Sequence, residues 1–378
     1  MNKTADVIIV GGGIVGCATA YYLAKKGIKD IIVLEGSDSI GHGGSSRNGG
    51  GVRQSGRDVR ELPIAMCAVK NFWPTLSEEL GVDTEYTQKG NLRLGKTEAH
   101  LKKLNTLAEN CSNMGLDVSM ISAQEVHDLN PYLSDQVIGA SFCPTDGHAN
   151  PLTTTLGYYT NALALGVQFF TGAKVMALEK YRGRVRKVIL ADGSVMEAGD
   201  IIVAAGYQSR SIIHTIGLDI PMVDEVDCAL VTEMEPVMFP QMLGTADADF
   251  YGHQTRHGSF VFGAVAGPEA MMDVDKERND FAHAATLGAS CRAVEGYIPA
   301  LKNAKIVRTW TGWCDCTSDG VCVLGRPKEA DGLILAAGFC GHGFGTAPAV
   351  GYMLSQIVSG EDTLCDLSAL RYERFTEE

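Results

Sequence analysis

Apolar and polar residues follow one another along this chain in three recurring patterns. Short apolar runs rich in β-branched residues predict strands that are buried on both faces, as in a parallel sheet; they lie at residues 7–10, 31–34, 200–206 and 332–338. Alternating positions predict antiparallel strands at residues 90–95, 250–256 and 259–263. Helical spacing predicts helices over residues 17–26, 62–80, 101–114 and 151–165, and a last helix that ends near residue 358. We therefore expect an α/β protein with an additional antiparallel sheet.

The first apolar run leads into a glycine turn that is typical of dinucleotide-binding proteins. Gly11, Gly13 and Gly16 hold the spacing G-x-G-x-x-G. The first glycine allows a tight turn, the second lets a pyrophosphate approach the backbone, and the third lets helix and strand pack closely. The second apolar run ends on Glu35, an acid suited to a ribose hydroxyl but not to a 2′-phosphate. The pattern predicts a diphosphate at the N-terminus of the first helix.

Further glycine-rich segments follow later in the chain. Residues 36–54 contain too many glycines for a stable helix interior, and Arg47 and Arg53 supply cationic donors suited to a phosphate or carboxylate. A flexible linker is the alternative for this segment. The small residues that end the strand at 204–206 would let a flat cofactor lie against the backbone. A second glycine turn, at residues 338–345, leads into the last helix, whose N-terminus suits partial negative charge.

Length and composition fit a two-domain protein and exclude some partners. The chain has 378 residues, and its 32 basic and 45 acidic side chains give a net charge of −13, which disfavours nucleic acid. No apolar run approaches the roughly 20 residues that span a bilayer, so we expect no integral membrane segment. The few residues before the first strand leave no room for a signal peptide. We expect a cytoplasmic protein, with peripheral contact to the inner membrane only through partners.

The eleven cysteines do not predict a disulfide framework, because their number is odd and no export signal precedes them. Cys314, Cys316, Cys322 and Cys340 lie close together in the sequence. Their spacings match neither a zinc knuckle nor the usual iron–sulfur patterns. We therefore expect no metal site and interpret these cysteines as small packing residues.

Four motifs in their usual order make the chain resemble the D-amino-acid oxidase family of flavoproteins. They lie at residues 10–16, 45–48, 204–206, and 311–320 together with 338–344. Within that family the chain looks like the β subunits of sarcosine oxidase, of dye-linked proline or hydroxyproline dehydrogenases and of opine oxidases, and like the related subunit of hydrogen cyanide synthase. The resemblance implies a Rossmann-like βαβ FAD-binding domain over residues 1–80, 145–220 and 305–378, and an α+β substrate-binding domain with an antiparallel sheet over residues 81–144 and 221–304.

The same resemblance implies that FAD binds in an extended form. Its expected contacts are Gly11, Gly13, Ile14, Val15, Gly16, Glu35, Gly36, Ser45, Ser46, Arg47, Asn48, Gly49, Val175, Ala204, Ala205, Gly206, Gly338, Gly341, His342, Gly343, Phe344, Gly345 and Thr346. A reduced flavin carries negative charge near N1, and helix-terminal amides after Gly341 would stabilise that charge.

The family chemistry implied is oxidation of a C–N bond, in which hydride leaves the α-carbon for flavin N5 and water later hydrolyses the imine. A clamp for the substrate carboxylate needs arginine, alone or with tyrosine. The candidates are Arg53, Arg256 and Arg308, with Tyr251 and His253 on the strand expected to face the cavity. For each arginine a surface or structural role is the alternative. His342 is expected either to bind the flavin, to line the cavity, or to be structural.

Two departures from the family pattern bear on the acceptor and on the FAD linkage. Monomeric oxidases of the family carry a lysine that assists oxygen where this chain has Val261, which favours a dehydrogenase. Those oxidases also attach FAD to a cysteine upstream of a Thr-Pro-Asp motif. Here the motif has serine for proline at residues 317–319, and the attachment position is Gly312, so we expect non-covalent FAD although Cys314 is near.

The predicted function is FAD-dependent oxidation of an amino acid or secondary amine of proline, hydroxyproline, sarcosine, glycine or opine type. The chain is expected to be the catalytic β-type subunit of a hetero-oligomeric dehydrogenase, with other subunits that carry Fe–S, FMN or a second flavin. One alternative is an oxidase that makes hydrogen peroxide. The other is a flavin subunit that relays electrons without oxidising an amine.

Overall fold

The structure is a computed structural model that describes residues 4–265 and 284–376. Part of the predicted substrate domain, residues 266–283, therefore lies outside the described residues. Within the two described ranges, no helix combines the length and the apolar character needed to span a membrane.

The strands of the described ranges belong to two large sheets and one short pair. In chain order they are β1 (Thr4–Val10), β2 (Ile31–Leu34), β3 (Gly51–Val52), β4 (Asn91–Gly95), β5 (Ser119–Ser122), β6 (Gly139–Cys143), β7 (Gly147–His148), β8 (Gln168–Phe170), β9 (Val175–Tyr181), β10 (Arg184–Leu190), β11 (Val195–Val203), β12 (Met222–Met234), β13 (Met242–Thr245), β14 (Tyr251–Gln254), β15 (Ser259–Val265), β16 (Ile306–Thr317), β17 (Val323–Gly325) and β18 (Leu333–Ala337).

The helices of the described ranges pack against both large sheets. In chain order they are α1 (Ile14–Lys25), α2 (Gly44–Arg47), α3 (Leu62–Asn71), α4 (Leu76–Leu80), α5 (Glu98–Asn113), α6 (Ala123–Leu129), α7 (Pro151–Ala164), α8 (Ser209–His214), α9 (Ala284–Tyr297) and α10 (Gly343–Ser359). Short 3₁₀ turns lie at Trp73–Thr75, Gly206–Gln208, Pro299–Leu301, Ser368–Leu370 and Tyr372–Phe375.

The first sheet is the doubly covered parallel sheet that the apolar runs predict. Its strand order is β17-β18-β11-β1-β2-β8, and β18, β11, β1, β2 and β8 run parallel. Strands β9 and β10 continue from β11 as an antiparallel meander. All residues of β2 and β18 are buried, because helices cover one face and the meander covers the other. The predicted α/β class is confirmed.

The second sheet is antiparallel apart from one of its described pairs. Its order is β16-β12-β15-β14-β13-β4-β6-β5, in which β4 and β13 run parallel. Alternation along a strand shows that one face is solvated but not which way a neighbour runs, so the sequence did not predict this parallel pair. Strand β16 pairs with β12 along its length. The predicted FAD-binding domain includes residues 305–378 and therefore β16, whereas β16 belongs to the second sheet. The division into domains stays a prediction.

Close helix packing sets the position of the N-terminus of α10 beside the glycine turn. A Cβ on Gly351 would lie 2.7 Å from the Cβ of Ala18, so α10 and α1 approach closely at this point. The buried Trp73 also donates a hydrogen bond of 2.7 Å from Nε1 to the carbonyl oxygen of Gly345. These contacts hold the first turn of α10 near the carboxyl ends of β1 and β11.

Candidate active site

The turn between β1 and α1 forms one wall of a cavity of about 440 Å³. Gly11 has a φ of 109°, and a Cβ there would lie 2.3 Å from the carbonyl oxygen of Ala204. A Cβ on Gly16 would lie 2.0 Å from the carbonyl oxygen of Gly11. Side chains are excluded at both positions, so backbone and the N-terminus of α1 face the cavity, as an anionic diphosphate requires.

Glu35 is anchored at the mouth of this cavity by three hydrogen bonds. Its Oε2 accepts a bond of 2.8 Å from the backbone N–H of Gly12. Its Oε1 accepts bonds of 2.8 Å and 2.6 Å from the backbone N–H and the hydroxyl of Ser37. The carboxylate lines the cavity at the end of β2, where a ribose hydroxyl can donate to it.

The glycine-rich segment around α2 forms the opposite wall and is held by its neighbours. The Ser45 hydroxyl oxygen accepts a bond of 2.8 Å from the backbone N–H of Ile14. The Trp310 indole donates a bond of 2.9 Å to the carbonyl oxygen of Arg47. A Cβ on Gly312 would lie 3.0 Å from the Cβ of Arg47, so the side chain of Arg47 packs against Gly312.

Most residues predicted to bind the cofactor line this first cavity. They are Gly11, Gly13, Ile14, Val15, Glu35, Gly36, Ser45, Arg47, Asn48, Val175, Ala204, Ala205, Gly206, Gly341, Gly343 and Phe344. Ser37, Tyr207 and Trp313 line it as well, and no sequence motif predicts them.

The other predicted cofactor residues lie beside the first cavity. Gly49 and His342 line a second, adjoining cavity. The Ser46 hydroxyl donates to the carbonyl oxygen of His42, and the Thr346 hydroxyl donates to that of His342. The three remaining glycines do not line the first cavity but pack closely against neighbouring residues: Gly16, Gly338 and Gly345.

The first cavity fits FAD by its shape and by the chemistry of its lining. Added Cβ atoms on Gly43, Gly44, Gly206 and Gly341 would meet no atom within 4 Å, so these backbone segments leave room for a ligand. The glycine turn and α1 suit a diphosphate, Glu35 suits a ribose, and the N-terminus of α10 suits the electron-rich edge of a flavin. Non-covalent binding stays a prediction.

A second cavity of about 230 Å³ adjoins the first and is rich in charged side chains. Six residues line both cavities: Asn48, Asp227, Tyr251, Cys314, Gly341 and Phe344. Three arginines line only the second: Arg53, Arg57 and Arg93. This arrangement gives the second cavity a junction with the FAD site and a cationic wall beyond that junction.

The arginines of the cationic wall have few partners among the described residues. Arg57 is 5% exposed and lies 3.7 Å from Glu61, measured from Nη1 to Oε1. The Arg53 guanidinium lies 5.3 Å from the centre of the Tyr251 ring. Nε of Arg53, Nη1 of Arg57 and Nε of Arg93 are buried and donate no hydrogen bond to any of the described residues. Burial lowers the pKa of Arg57 and of Arg93 to about 10, and repulsion from Arg53 adds to both shifts.

Asp227 supplies the acidic group at the junction of the two cavities. Its Oδ2 accepts a bond of 3.3 Å from the Cys314 thiol, and its Oδ1 is buried without a partner among the described residues. Burial raises the pKa of Asp227 to about 6, and the nearby Glu225 adds to the shift. A buried carboxylate with a free oxygen at this place can bind or deprotonate an ammonium group.

His342 lies at the cap of α10 and faces the second cavity. Its Nδ1 is 2.7 Å from Oε1 of Glu61, which is 3% exposed. Burial raises the pKa of Glu61, and the Arg57 charge opposes that shift. Glu61 therefore connects the histidine to the cationic wall, and of the three roles predicted for His342 the position in the substrate cavity agrees with this geometry.

Three other predicted catalytic residues are not brought to the cavities. Arg256 is exposed, with 46% of its side chain accessible, and forms an ion pair with Asp83. His253 is buried and stacks on His148 with ring centres 3.7 Å apart, and burial holds its pKa well below the usual value. Arg308 lies over the Trp310 ring, 5.8 Å from its centre. Arg53 and Tyr251 alone of the predicted clamp residues line the second cavity.

Three of the four clustered cysteines meet at the second cavity: Cys314, Cys316 and Cys340. They are free thiols. Hydrogen bonding between the thiols, together with burial, raises the pKa of Cys316 and of Cys340. At Cys314 the hydrogen bond with Cys316 lowers the pKa, but burial and the Asp227 charge outweigh it and the pKa is raised. Cys322 is buried in the core. Within the described ranges, no three His, Cys, Asp or Glu side chains are grouped so that they could hold a metal ion.

Sequence reasoning missed Arg57, Arg93, Asp227 and Glu61. Arg93 stands between Leu92 and Leu94 on β4, a pattern typical of a solvent-facing position. The parallel pairing of β4 with β13 places it in the cavity instead. Only Arg57 carried a usable signal, since it follows Arg53 by four residues at the end of the glycine-rich segment.

Comparison with known proteins agrees with this geometry. A family model described as FAD dependent oxidoreductase (DAO) matches residues 6–357. The sarcosine oxidase subunit beta of Rhizobium meliloti is 28% identical over 98% of this chain and 88% of its own length. The glycine oxidase of Bacillus licheniformis is 26% identical over 99% of this chain and 98% of its own. The L-proline dehydrogenase structure from P. horikoshii superposes with a TM-score of 0.89 at 28% identity, covering 100% of this chain and 99% of that one.

Proposed function

Because this chain belongs to the DAO family of FAD-dependent oxidoreductases, we propose that it oxidises an amine bearing an acid group, as the catalytic β-type subunit of a hetero-oligomeric dehydrogenase. FAD-dependent oxidation of amino acids and amines is the activity of its family. When bound, FAD supplies the two-electron acceptor for the C–N bond. The observation that carries the proposal is the junction where Asp227 faces both cavities while three arginines line the second alone.

The charges of the second cavity are separated in the manner that an amino acid requires. A carboxylate binds best to guanidinium groups, which offer paired N–H donors. Arg53, Arg57 and Arg93 lie beyond the junction, whereas Asp227 lies at it. An amino acid bound with its carboxylate toward the arginines would place its amine at Asp227, beside the FAD cavity. This orientation fixes the C–N bond relative to the cofactor site.

Asp227 is the residue we propose to accept the amine proton. Amino acids and secondary amines carry a proton at neutral pH, and a C–N bond is oxidised from the neutral amine. Asp227 has a raised pKa of about 6, so at pH 7 it is ionised and is a stronger base than an exposed aspartate. The Cys314 thiol donates to its Oδ2 and leaves Oδ1 for the substrate.

Two features support a β-type subunit that passes electrons to another carrier. The Rhizobium meliloti relative that spans 98% of this chain is named a subunit beta. Position 261, where related oxidases carry a lysine, holds valine. Val261 lies directly opposite His253 on the neighbouring strand, and His253 lies two residues after Tyr251 on β14. Val261 therefore lies on the same face of the sheet as Tyr251, which lines both cavities.

We expect Val261→Lys to increase the reactivity of the reduced protein with oxygen by about tenfold or more, because the long lysine side chain, on the sheet face of Tyr251, would extend a cation toward the FAD cavity and stabilise developing superoxide. The measurement is stopped-flow reoxidation of the reduced holoprotein in oxygenated buffer. Exposed Arg186, replaced by methionine on β10, gives a control for a charge change remote from the cavities. A wild-type rate as high as that of Val261→Lys would favour the hydrogen-peroxide-producing oxidase instead.

Anaerobic spectroscopy of the purified holoprotein tests the proposed function. Sarcosine, glycine, hydroxyproline, both enantiomers of proline and an opine are added one at a time, and bleaching of the oxidised-flavin absorbance is followed. The proposal expects at least one of them to bleach the flavin. A flavin that is reduced by dithionite but by none of these amines would favour the electron-relay subunit.

A further inference from the structure

The cationic wall of the second cavity holds more positive charge than one carboxylate requires. A single carboxylate has two oxygens, and one guanidinium can satisfy both through paired hydrogen bonds. Three guanidinium groups line this cavity of about 230 Å³, from Arg53, Arg57 and Arg93. Each retains a buried nitrogen that donates no hydrogen bond to any of the described residues.

Nearby acids of the protein offset only part of the charge of this wall. Asp146 is fully buried, and its oxygens accept four hydrogen bonds from the backbone and side chains of Gln54 and Ser55. Glu61 lies 3.7 Å from Arg57 and is already bonded to His342. Within the described ranges, no carboxylate forms an ion pair with Arg53 or Arg93.

Like charges at close range favour a ligand that brings more than one negative charge. The Arg93 guanidinium lies against the backbone of Gly56, the residue before Arg57, where an added Cβ would overlap it. The Arg53 charge lowers the pKa of both Arg57 and Arg93 after burial, the larger cause, so the like charges act on one another. Such crowding costs free energy in the empty cavity, and an anionic ligand recovers it. The acidic side chains that line the cavity, Glu225 and Asp227, both come from β12 and form no ion pair with the three arginines within the described ranges.

We propose that the substrate of this cavity is an amine that carries two carboxylates, both of which bind to the wall formed by Arg53, Arg57 and Arg93. Acidic amino acids and N-carboxyalkyl amino acids are of this class. The proposal rests on the proposed function, because it names the substrate class of the same site.

Carboxylates that lack an amine cannot be oxidised, so their binding shows whether the cavity holds a second carboxylate independently of turnover. The holoprotein is titrated with acetate and propionate, and with malonate, succinate and glutarate, by calorimetry and by the flavin difference spectrum. We expect at least one dicarboxylate to bind about tenfold or more tightly than either monocarboxylate. We expect Arg93→Met to weaken the binding of that dicarboxylate at least about tenfold more than the binding of either monocarboxylate, with FAD content as the check on folding, and Arg186→Met to leave the difference between the two classes as it is in the wild type. Equal binding of both classes, or an equal loss of both in Arg93→Met, would overturn the proposal.

Matched substrates separate this proposal from the function on which it rests. Sarcosine is compared with iminodiacetate, and glycine with aspartate and glutamate, in anaerobic flavin reduction. A lower KM by about tenfold or more for a diacid is expected. Reduction by the monoacids with equal efficiency would refute the second acid group and leave amine oxidation intact. Tighter dicarboxylate binding without reduction by any amine would refute amine oxidation and leave the binding class intact.

Discussion

Gly11→Ala is expected to yield a protein that retains almost no FAD and unfolds at a lower temperature than the wild type. Its Cβ would lie 2.3 Å from the carbonyl oxygen of Ala204, at a φ of 109° that L-residues rarely adopt. Relief would require β1 and the end of β11 to separate at the point where the diphosphate binds. FAD content by absorbance after denaturation, and thermal unfolding by circular dichroism, measure the two effects.

A matched control separates the effect of the contact between the added Cβ and Ala204 from the effect of the positive φ at Gly11. Gly27 has a φ of 86°, ends the turn after α1, and would place a Cβ with no atom within 4 Å. Gly27→Ala is expected to cost only about 1–2 kcal/mol and to keep its FAD. If Gly11→Ala does not fold, Gly44→Val replaces it, because a side chain at Gly44 would enter the open cavity. Full FAD content in both Gly11→Ala and Gly44→Val would contradict the site.

Asp227→Asn is expected to reduce kcat/KM for the amine by roughly 10²–10⁴-fold, the usual contribution of a positioned base. The wild-type activity should decline as pH falls through about 6, because the carboxyl group with that pKa becomes protonated and can no longer accept a proton. The variant should lack this decline. The pH profile of kcat/KM measures both effects, with FAD content as a check on folding.

The same variant should be as stable as the wild type or more stable at pH 7. The pKa of Asp227 is raised from 3.8 to about 6 in the folded protein, so its contribution favours folding at low pH and is lost as pH rises through about 6. Asparagine removes the buried charge. Asp117→Asn, at an exposed position after α5, serves as the control. A variant that lost activity together with stability, at every pH, would indicate a structural role for Asp227.

These two positions also show where sequence reasoning succeeded and where it could not. Gly11 belongs to a local motif: strand, turn and helix are continuous in the chain, and their physical requirements fix both the residue types and their spacing. The parallel sheet was predicted for the same reason, since strands buried on both faces need continuous apolar runs. The family motifs then placed Glu35, Ser45 and the N-terminus of α10 around one cavity, where the structure has them.

The substrate cavity depends on contacts between distant segments that no local pattern encodes. Arg93 and Asp227 come from β4 and β12, and only the topology of the second sheet brings them to one cavity. Glu61, the residue before α3, reaches the same site through its contacts with His342 and Arg57. Arg256 illustrates the opposite difficulty. It follows β14, the strand of Tyr251, yet it lies beyond the end of that strand and pairs with Asp83 at the surface.

The charged residues of the second cavity are arranged for a ligand, and this arrangement lowers the stability of the protein without that ligand. Arg57, Arg93 and Asp227 each retain buried polar atoms without a partner among the described residues. Such groups cost free energy in the free protein, which is common where a protein binds charged ligands. The same charges give the predicted signature of Asp227→Asn, in which activity falls while stability does not.

The measurement that tests the account most directly is anaerobic flavin reduction by an amino acid compared with reduction by the carboxamide of the same amino acid. The amide keeps the amine and the shape of the substrate but removes the charge that Arg53, Arg57 and Arg93 are proposed to bind. We predict that the acid bleaches the flavin and that the amide does so at least about tenfold less efficiently. Equal rates for acid and amide would contradict the arginine wall as the substrate site.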